Sequence, residues 1–278
     1  MKKYNLSLDV IKHKYYTEKK SQQKISEELG VSQWVISDRL RKGGLQTLDR
    51  TRNLNPRRYD INHHSFGKLD EETAWLLGWM MSDGFVRDGN RFGLKVSAVD
   101  QDIIEKFRNY LRCTNPIYKH KQKLKQTNRT YHLVSIQISS KEIVERLAKF
   151  SIVPNKSLHT VFPRVISNQN EDIIRSFIRG VFEGDGSFLL EHKRSPLFQI
   201  VGTKELCYGI RSFLIKYIGI KATKLTQNIK RSNHYALRYR GRYQALKIMD
   251  WLYLNAKSKV LNRKFNRYLS IRRELCLG

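Results

Sequence analysis

Leu76–Leu77–Gly78–Trp79–Met80–Met81–Ser82–Asp83–Gly84 returns further along the chain as Ile178–Arg179–Gly180–Val181–Phe182–Glu183–Gly184–Asp185–Gly186, its Asp-Gly pair displaced by 185 − 83 = 102 residues. A chain built on such an echo is constrained to fold as two related halves. Each copy is an apolar run that follows helix-opening residues (Asp70, Glu71 and Glu72; Glu171 and Asp172) and stops abruptly at Asp-Gly. Gly78 and Ser82, like Gly180 and Gly184, stand four apart, so each helix presents one stripe of small residues. Helices packed along those stripes bring Asp83 and Asp185 together at two helix C-termini. A carboxylate is poorly placed there, because the helix dipole is already negative and a second carboxylate stands beside it. A hard divalent cation answers that charge, and Mg²⁺ typically takes one or two protein carboxylates together with substrate phosphates. One apolar helix ending in Asp-Gly would be an ordinary C-cap; two in echo point to shared chemistry.

At these residues the chain resembles the LAGLIDADG homing endonucleases in their single-chain, two-motif form, over roughly residues 60 to 270. The interface glycine, the second small residue and the closing Asp-Gly are kept in both copies. Met81 stands where the family usually has an acid, which Glu183 retains. The resemblance implies an α+β fold: two pseudo-symmetric αββαββα halves with antiparallel DNA-binding sheets. It implies a site-specific endonuclease that hydrolyses both strands with Mg²⁺, Mn²⁺ substituting, on Asp83 and Asp185, with Ser82 and Gly184 in the metal site. It points to Lys156 in Val153–Pro154–Asn155–Lys156–Ser157 and Lys264 in Leu261–Asn262–Arg263–Lys264–Phe265 as active-site lysines, at matching distances of 156 − 83 = 73 and 264 − 185 = 79. Lys95 and Gln199, each on the second strand of its half, fall where the family has a polar water-organising residue. The implied partner is double-stranded DNA with a long asymmetric site, cut by a monomer.

Charge points to the same partner. Lysine and arginine number 53 against 25 acids, a net charge of +28 with a pI near 10.1, which a polyanion explains through phosphate neutralisation. No acid occurs between Glu105 and Glu142, or between Glu205 and Asp250. Within the first window Lys119, Lys121, Lys123 and Lys125 alternate, so on a strand they share a face. Within the second, Lys224, Thr226, Asn228 and Lys230 alternate, and Arg238, Arg240 and Arg242 extend the pattern. Arg87, Arg91, Arg129, Lys193 and Arg194 complete the candidate DNA contacts on the hairpins. A lone charge run is ordinarily a solvated face; two windows at equivalent positions argue for a sheet laid on DNA. No apolar run reaches the roughly 18 residues of a spanning helix and no signal peptide opens the chain, so an intracellular protein is expected. Cys113, Cys207 and Cys276 are isolated, without Cys-x-x-Cys pairing, and read as packing residues.

Residues 1–45 read as a helix-turn-helix domain: Ser21 caps one helix, Gly30 makes the turn and Ser32 caps a third helix presenting Gln33, Trp34 and Arg39 to DNA. Residues 46–69 read as a basic linker, 70–165 as the first half and 166–278 as the second. In the first half, hairpins are expected at Phe85–Ala98 and Ile117–Ser139, with helices capped by Asp100 and Ser140. In the second half, hairpins are expected at Ser187–Val201 and Lys224–Arg240, with a helix capped by Thr203 and another over Tyr243–Leu254. His63 and His64 lack companions at metal-ligand spacing, and no nucleophile triad or phosphate loop is apparent. A nuclease-inactive DNA-binding regulator and an intron RNA maturase are the alternatives. Protein splicing is disfavoured, since the start and ending it uses are absent.

Overall fold

The computed structural model describes residues 7–45, 59–123, 128, 130–191, 195–229 and 232–276. Two compact units divide the chain, Met1–Tyr59 and Asp60–Gly278. In the smaller unit, α1 (Leu8–Lys12), a π-helical turn, α2 (Gln22–Glu28) and α3 (Gln33–Lys42) enclose Ile11, Tyr15, Ile25, Ile36 and Leu40. Ser21 caps α2 through its hydroxyl, 3.1 Å from Lys24 N, and Gly30 takes φ +64° in the turn. Ser32 is extended before α3 as expected but makes no side-chain cap.

The larger unit runs α4 (Glu71–Ser82), β1 (Gly84–Arg87), β2 (Arg91–Ser97), α5 (Gln101–Tyr110), β3 (Ile117–Lys123), β4 (Thr130–Ser139) and α6 (Lys141–Ala148). After the short α7 (Arg164–Ser167) come α8 (Glu171–Asp185), β5 (Gly186–Glu191), β6 (Ser195–Gly202), α9 (Lys204–Ile218), β7 (Thr226–Gln227), β8 (Tyr235–Arg240), α10 (Lys247–Leu252) and α11 (Asn262–Cys276). Two antiparallel sheets result, ordered β1-β2-β4-β3 and β5-β6-β8-β7. Side-chain caps start the helices where expected: Ser140 receives Ile143 N–H and Thr203 receives Leu206 N–H. The stretch expected to be linker up to residue 69 joins this unit from Asp60, because Phe66 is buried against Phe107 and Tyr110, whose hydroxyl accepts from Phe66 N–H at 2.9 Å and shares a hydrogen bond with Thr73 Oγ1.

Three expectations need correction. Asp100 does not cap α5; its carboxylate takes a two-pronged bond from Arg263, at 2.7 and 2.9 Å, and so ties α11 to the first half. The strand expected over Lys224–Lys230 shrinks to Thr226–Gln227 among the described residues, which leaves Lys224 and Asn228 exposed outside it. Lys119, Lys121 and Lys123 do share a face, but register puts them with Ile117 on the core side: Ile117 pairs with Ile136 and Lys119 with Val134. They project from that side where the edge strand overhangs the core.

α4 and α8 form the seam between halves. A Cβ on Gly180 would lie 2.0 Å from Trp75 O, and one on Gly78 2.3 Å from Phe177 O. Only hydrogen fits in that space, so the two backbones touch. Beside the glycines, the buried Glu183 receives Trp75 Nε1–H at 2.7 Å and Leu261 N–H at 2.9 Å, next to the buried Arg179, which donates to the carbonyls of Leu252 and Lys259. Trp75 belongs to one half and Glu183 to the other. The acid present only in the second motif, Glu183, therefore stitches the seam.

Candidate active site

The glycine seam delivers its consequence at the helix ends. Asp83 is the C-cap of α4 and Asp185 the last residue of α8. A Cβ on Gly184 would reach 1.9 Å from Ser82 Oγ and 3.1 Å from Asp83 Oδ2, so the second motif's small residue makes room for the first motif's carboxylate. Burial pushes Asp83 up to about 6, and the charge of Asp185 adds to the rise. Asp185 opens surface to solvent, yet the protein packed around it withdraws enough water to raise its carboxyl too, against the opposing charges of Lys156, Lys264 and His234.

A lysine closes each helix end. Lys156, itself buried, donates to Met81 O at 2.7 Å and Ser82 O at 2.9 Å on α4. Lys264, from the first turn of α11, donates to Phe182 O at 3.0 Å, Gly184 O at 3.3 Å and Gly186 O at 2.6 Å around the end of α8. Positive charge at a helix C-terminus opposes the dipole, and here it sits beside the two carboxylates as well. Desolvation lowers both amines, Lys264 to about 8. Clefts flank the pair of helix ends. One, of about 520 Å³, is lined by Lys156, Asp185, Val201 and His234 among others; the second, of about 630 Å³, by Gly184, Ser187, Lys264 and Arg267 among others.

Hard oxygen donors dominate the centre, and the two raised carboxyls are the unsatisfied charge that a divalent cation suits. No group of three or more His, Cys, Asp and Glu gathers to hold a metal among the described residues. A two-carboxylate site completed by other oxygens is thus what the residues fit. The carbonyls of Ser82 and Gly184, expected in that site, already accept from Lys156 and Lys264.

The remaining expected residues divide by face. Cross-strand partners share a side of the sheet. In the first sheet Arg87, Arg91 and Lys95 fall on the face away from the core, with Gln137, Ser135 and Tyr118. Lys95 also abuts the centre through its backbone, whose N–H donates to Asp83 O at 3.4 Å. In the second sheet Gln199, Arg238 and Arg240 lie on the corresponding face, Gln199 accepting from Arg238 Nε at 2.6 Å. Lys95 and Gln199 are not register equivalents, however: Lys95 matches Val201, and Gln199 matches Gly93. On α3, Gln33 is exposed, Trp34 is 66% exposed and Arg39 is half-buried. Lys125, Arg129, Lys193, Arg194 and Lys230 lie outside the described residues. Sequence reasoning missed His234, which lines the first cleft with Asp185 and whose Nδ1 is buried without a partner among the described residues. Nothing in its local sequence marks it, because a hairpin far downstream of Asp185 brings it there.

Two sheets on a glycine seam, with paired carboxylates at its end, define a two-motif α+β architecture. Comparison gives the particular fold: the chain has the LAGLIDADG homing-endonuclease fold, and it aligns with the homing endonuclease I-WcaI bound to its DNA recognition sequence at a TM-score of 0.51 and 13% identity, covering 72% of this chain and 87% of that one. No protein-family model matches the chain. Among curated proteins of Methanocaldococcus jannaschii, it is similar to the DNA-directed RNA polymerase subunit Rpo1C, at 25% identity over 150 residues, 54% of this chain. It is also similar to an uncharacterized protein, at 27% over 197 residues, 65% of this chain. The chain spans only 16% and 21% of the length of those two relatives. Among the described residues no helix is long and apolar enough to cross a membrane.

Proposed function

We propose that the protein is a metal-dependent, site-specific endonuclease of double-stranded DNA. One observation carries the reading: two abutting helix ends present Asp83 and Asp185 together, each end closed by a buried or half-buried lysine. Asp83 and Asp185 would hold Mg²⁺ or Mn²⁺, which when bound supplies an acidified water and positive charge for the phosphate oxygens. This chain's own residues do the rest. Lys264 commits three N–H donors to three carbonyls, so it acts through fixed charge and holds the end of α8 in place. Lys156 spends two on carbonyls, which leaves its Nζ able to orient the attacking water. The outward faces of the two sheets would lie in successive stretches of major groove, and the net charge of +28 supports phosphate contact. In the smaller unit, α3 would enter a groove with Gln33 and Trp34 foremost, in the manner of a helix-turn-helix.

The test is cleavage of a randomised duplex library, with Mg²⁺ or with chelator, by the wild type and by Asp185→Asn. Metal-dependent ends at one long site, lost in the variant while binding persists, are expected. A library that is bound and enriched but never cut would instead favour a DNA-binding regulator, and preference for structured intron RNA a maturase.

A further inference from the structure

The two sheets superpose by register, and their outward faces differ in chemistry at three aligned positions. Gly84 pairs with Leu94 in the first sheet as Gly186 does with Ile200 in the second, which aligns every later position. Arg87 then corresponds to Leu189, Arg91 to Leu197 and Lys95 to Val201. Across the next strand, Ser135 corresponds to Ala236, Gln137 to Arg238 and Ser139 to Arg240. Three cations on β1 and β2 are thus replaced, place for place, by three aliphatic side chains on β5 and β6. Leu189 is 46% exposed and Val201 half-buried, on a face directed away from the core. Arginines are paired in both sheets, Arg91 with Asp88 in the first and Arg240 with Glu191, at 2.8 and 3.4 Å, in the second, so the difference lies in the three aligned positions.

Hydrogen-bond donors read guanine and adenine edges, whereas an aliphatic side chain in the major groove matches the thymine methyl group. Resting on the DNA reading above, we propose that the two half-sites are read by different chemistry. The first sheet selects purine edges through Arg87, Arg91 and Lys95. The second selects thymine through Leu189 and Val201, with their cross-strand partners Leu197 and Ala236 beside them on the same face.

The experiment enriches a randomised duplex library on the full chain in chelator, then replaces each thymine of the selected site by uracil, one at a time, and measures affinity. Removing one methyl group from an apolar contact, about 0.8 kcal/mol, corresponds to a loss of about four-fold. Losses of that size are expected at thymines in one half-site only. In Leu189→Ala, an exposed position whose truncation spares the core, one of those sensitivities should vanish, and in Arg87→Ala the preference for a purine should relax in the opposite half-site. Equal sensitivity of both half-sites, or sensitivity unchanged in Leu189→Ala, overturns the division. Failure to enrich any duplex is a different result: it removes the DNA reading and this inference together.

Discussion

At the scale of single residues, the centre is organised by charge that has lost its water. Asp83 is held near 6 against an ordinary 3.8, so between those values the folded state keeps a proton that the unfolded state has released. Stability from this group is therefore full below about pH 4 and falls as pH rises through 6, by at most about 3 kcal/mol for a shift of roughly two units. Asp185, raised in the same direction, adds to the fall. Thermal unfolding in chelator should show wild-type stability relative to Asp83→Asn dropping between pH 4 and 6 and level above it. Adding Mg²⁺ at pH 7 should recover most of the difference in the wild type and little in the variant. A flat difference across that range would mean that Asp83 is solvated like a surface carboxylate. The paired lysines make the same point from the other sign. Each is lowered by burial, yet each closes a helix end whose carbonyls would otherwise face the carboxylates.

At the scale of elements, the sequence was most legible where spacing alone carries geometry. Small residues four apart, Gly78 and Ser82 with Gly180 and Gly184, announced the α4–α8 seam, and the strand alternation after each Asp-Gly announced the hairpins. Gly180→Ala tests that seam directly. Its new methyl would sit 2.0 Å from Trp75 O, a backbone atom in a packed helix, so the helices must part to admit it. A loss of about 3 kcal/mol or more is expected in denaturant unfolding, together with loss of cleavage, because the carboxylates separate with the helices. Gly89→Ala, in a turn with φ +66° but open space around its Cβ, should cost less, about 1 kcal/mol of backbone strain. What stayed illegible is long-range. Alternation placed Lys119, Lys121 and Lys123 on one face, yet only pairing with β4 reveals which face. Asp100 has the look of a cap, and only the arrival of Arg263 explains its different use. Lys156 and Lys264 came from family likeness, and their roles at helix ends depend on tertiary placement that no local pattern encodes.

At the scale of the whole molecule, the described residues form two separate cores, one of five buried residues in the smaller unit and one spanning both sheets in the larger. Separate cores imply separate stability, so the larger unit can be assayed without residues 1–59. The charge of +28 is spread through both, and salt dependence sorts its use. Each phosphate neutralised contributes roughly 0.9 to the slope of log affinity against log salt. If α3 lies along DNA, removing residues 1–59 should weaken binding and reduce that slope by the number of phosphates lost, while cleavage at the central site persists at high enzyme. A truncated chain with lower affinity but an unchanged slope would show that the smaller unit contributes through base or shape contacts alone, led by the exposed Trp34. An unchanged affinity would remove it from DNA altogether, leaving the two sheets to account for the whole of recognition.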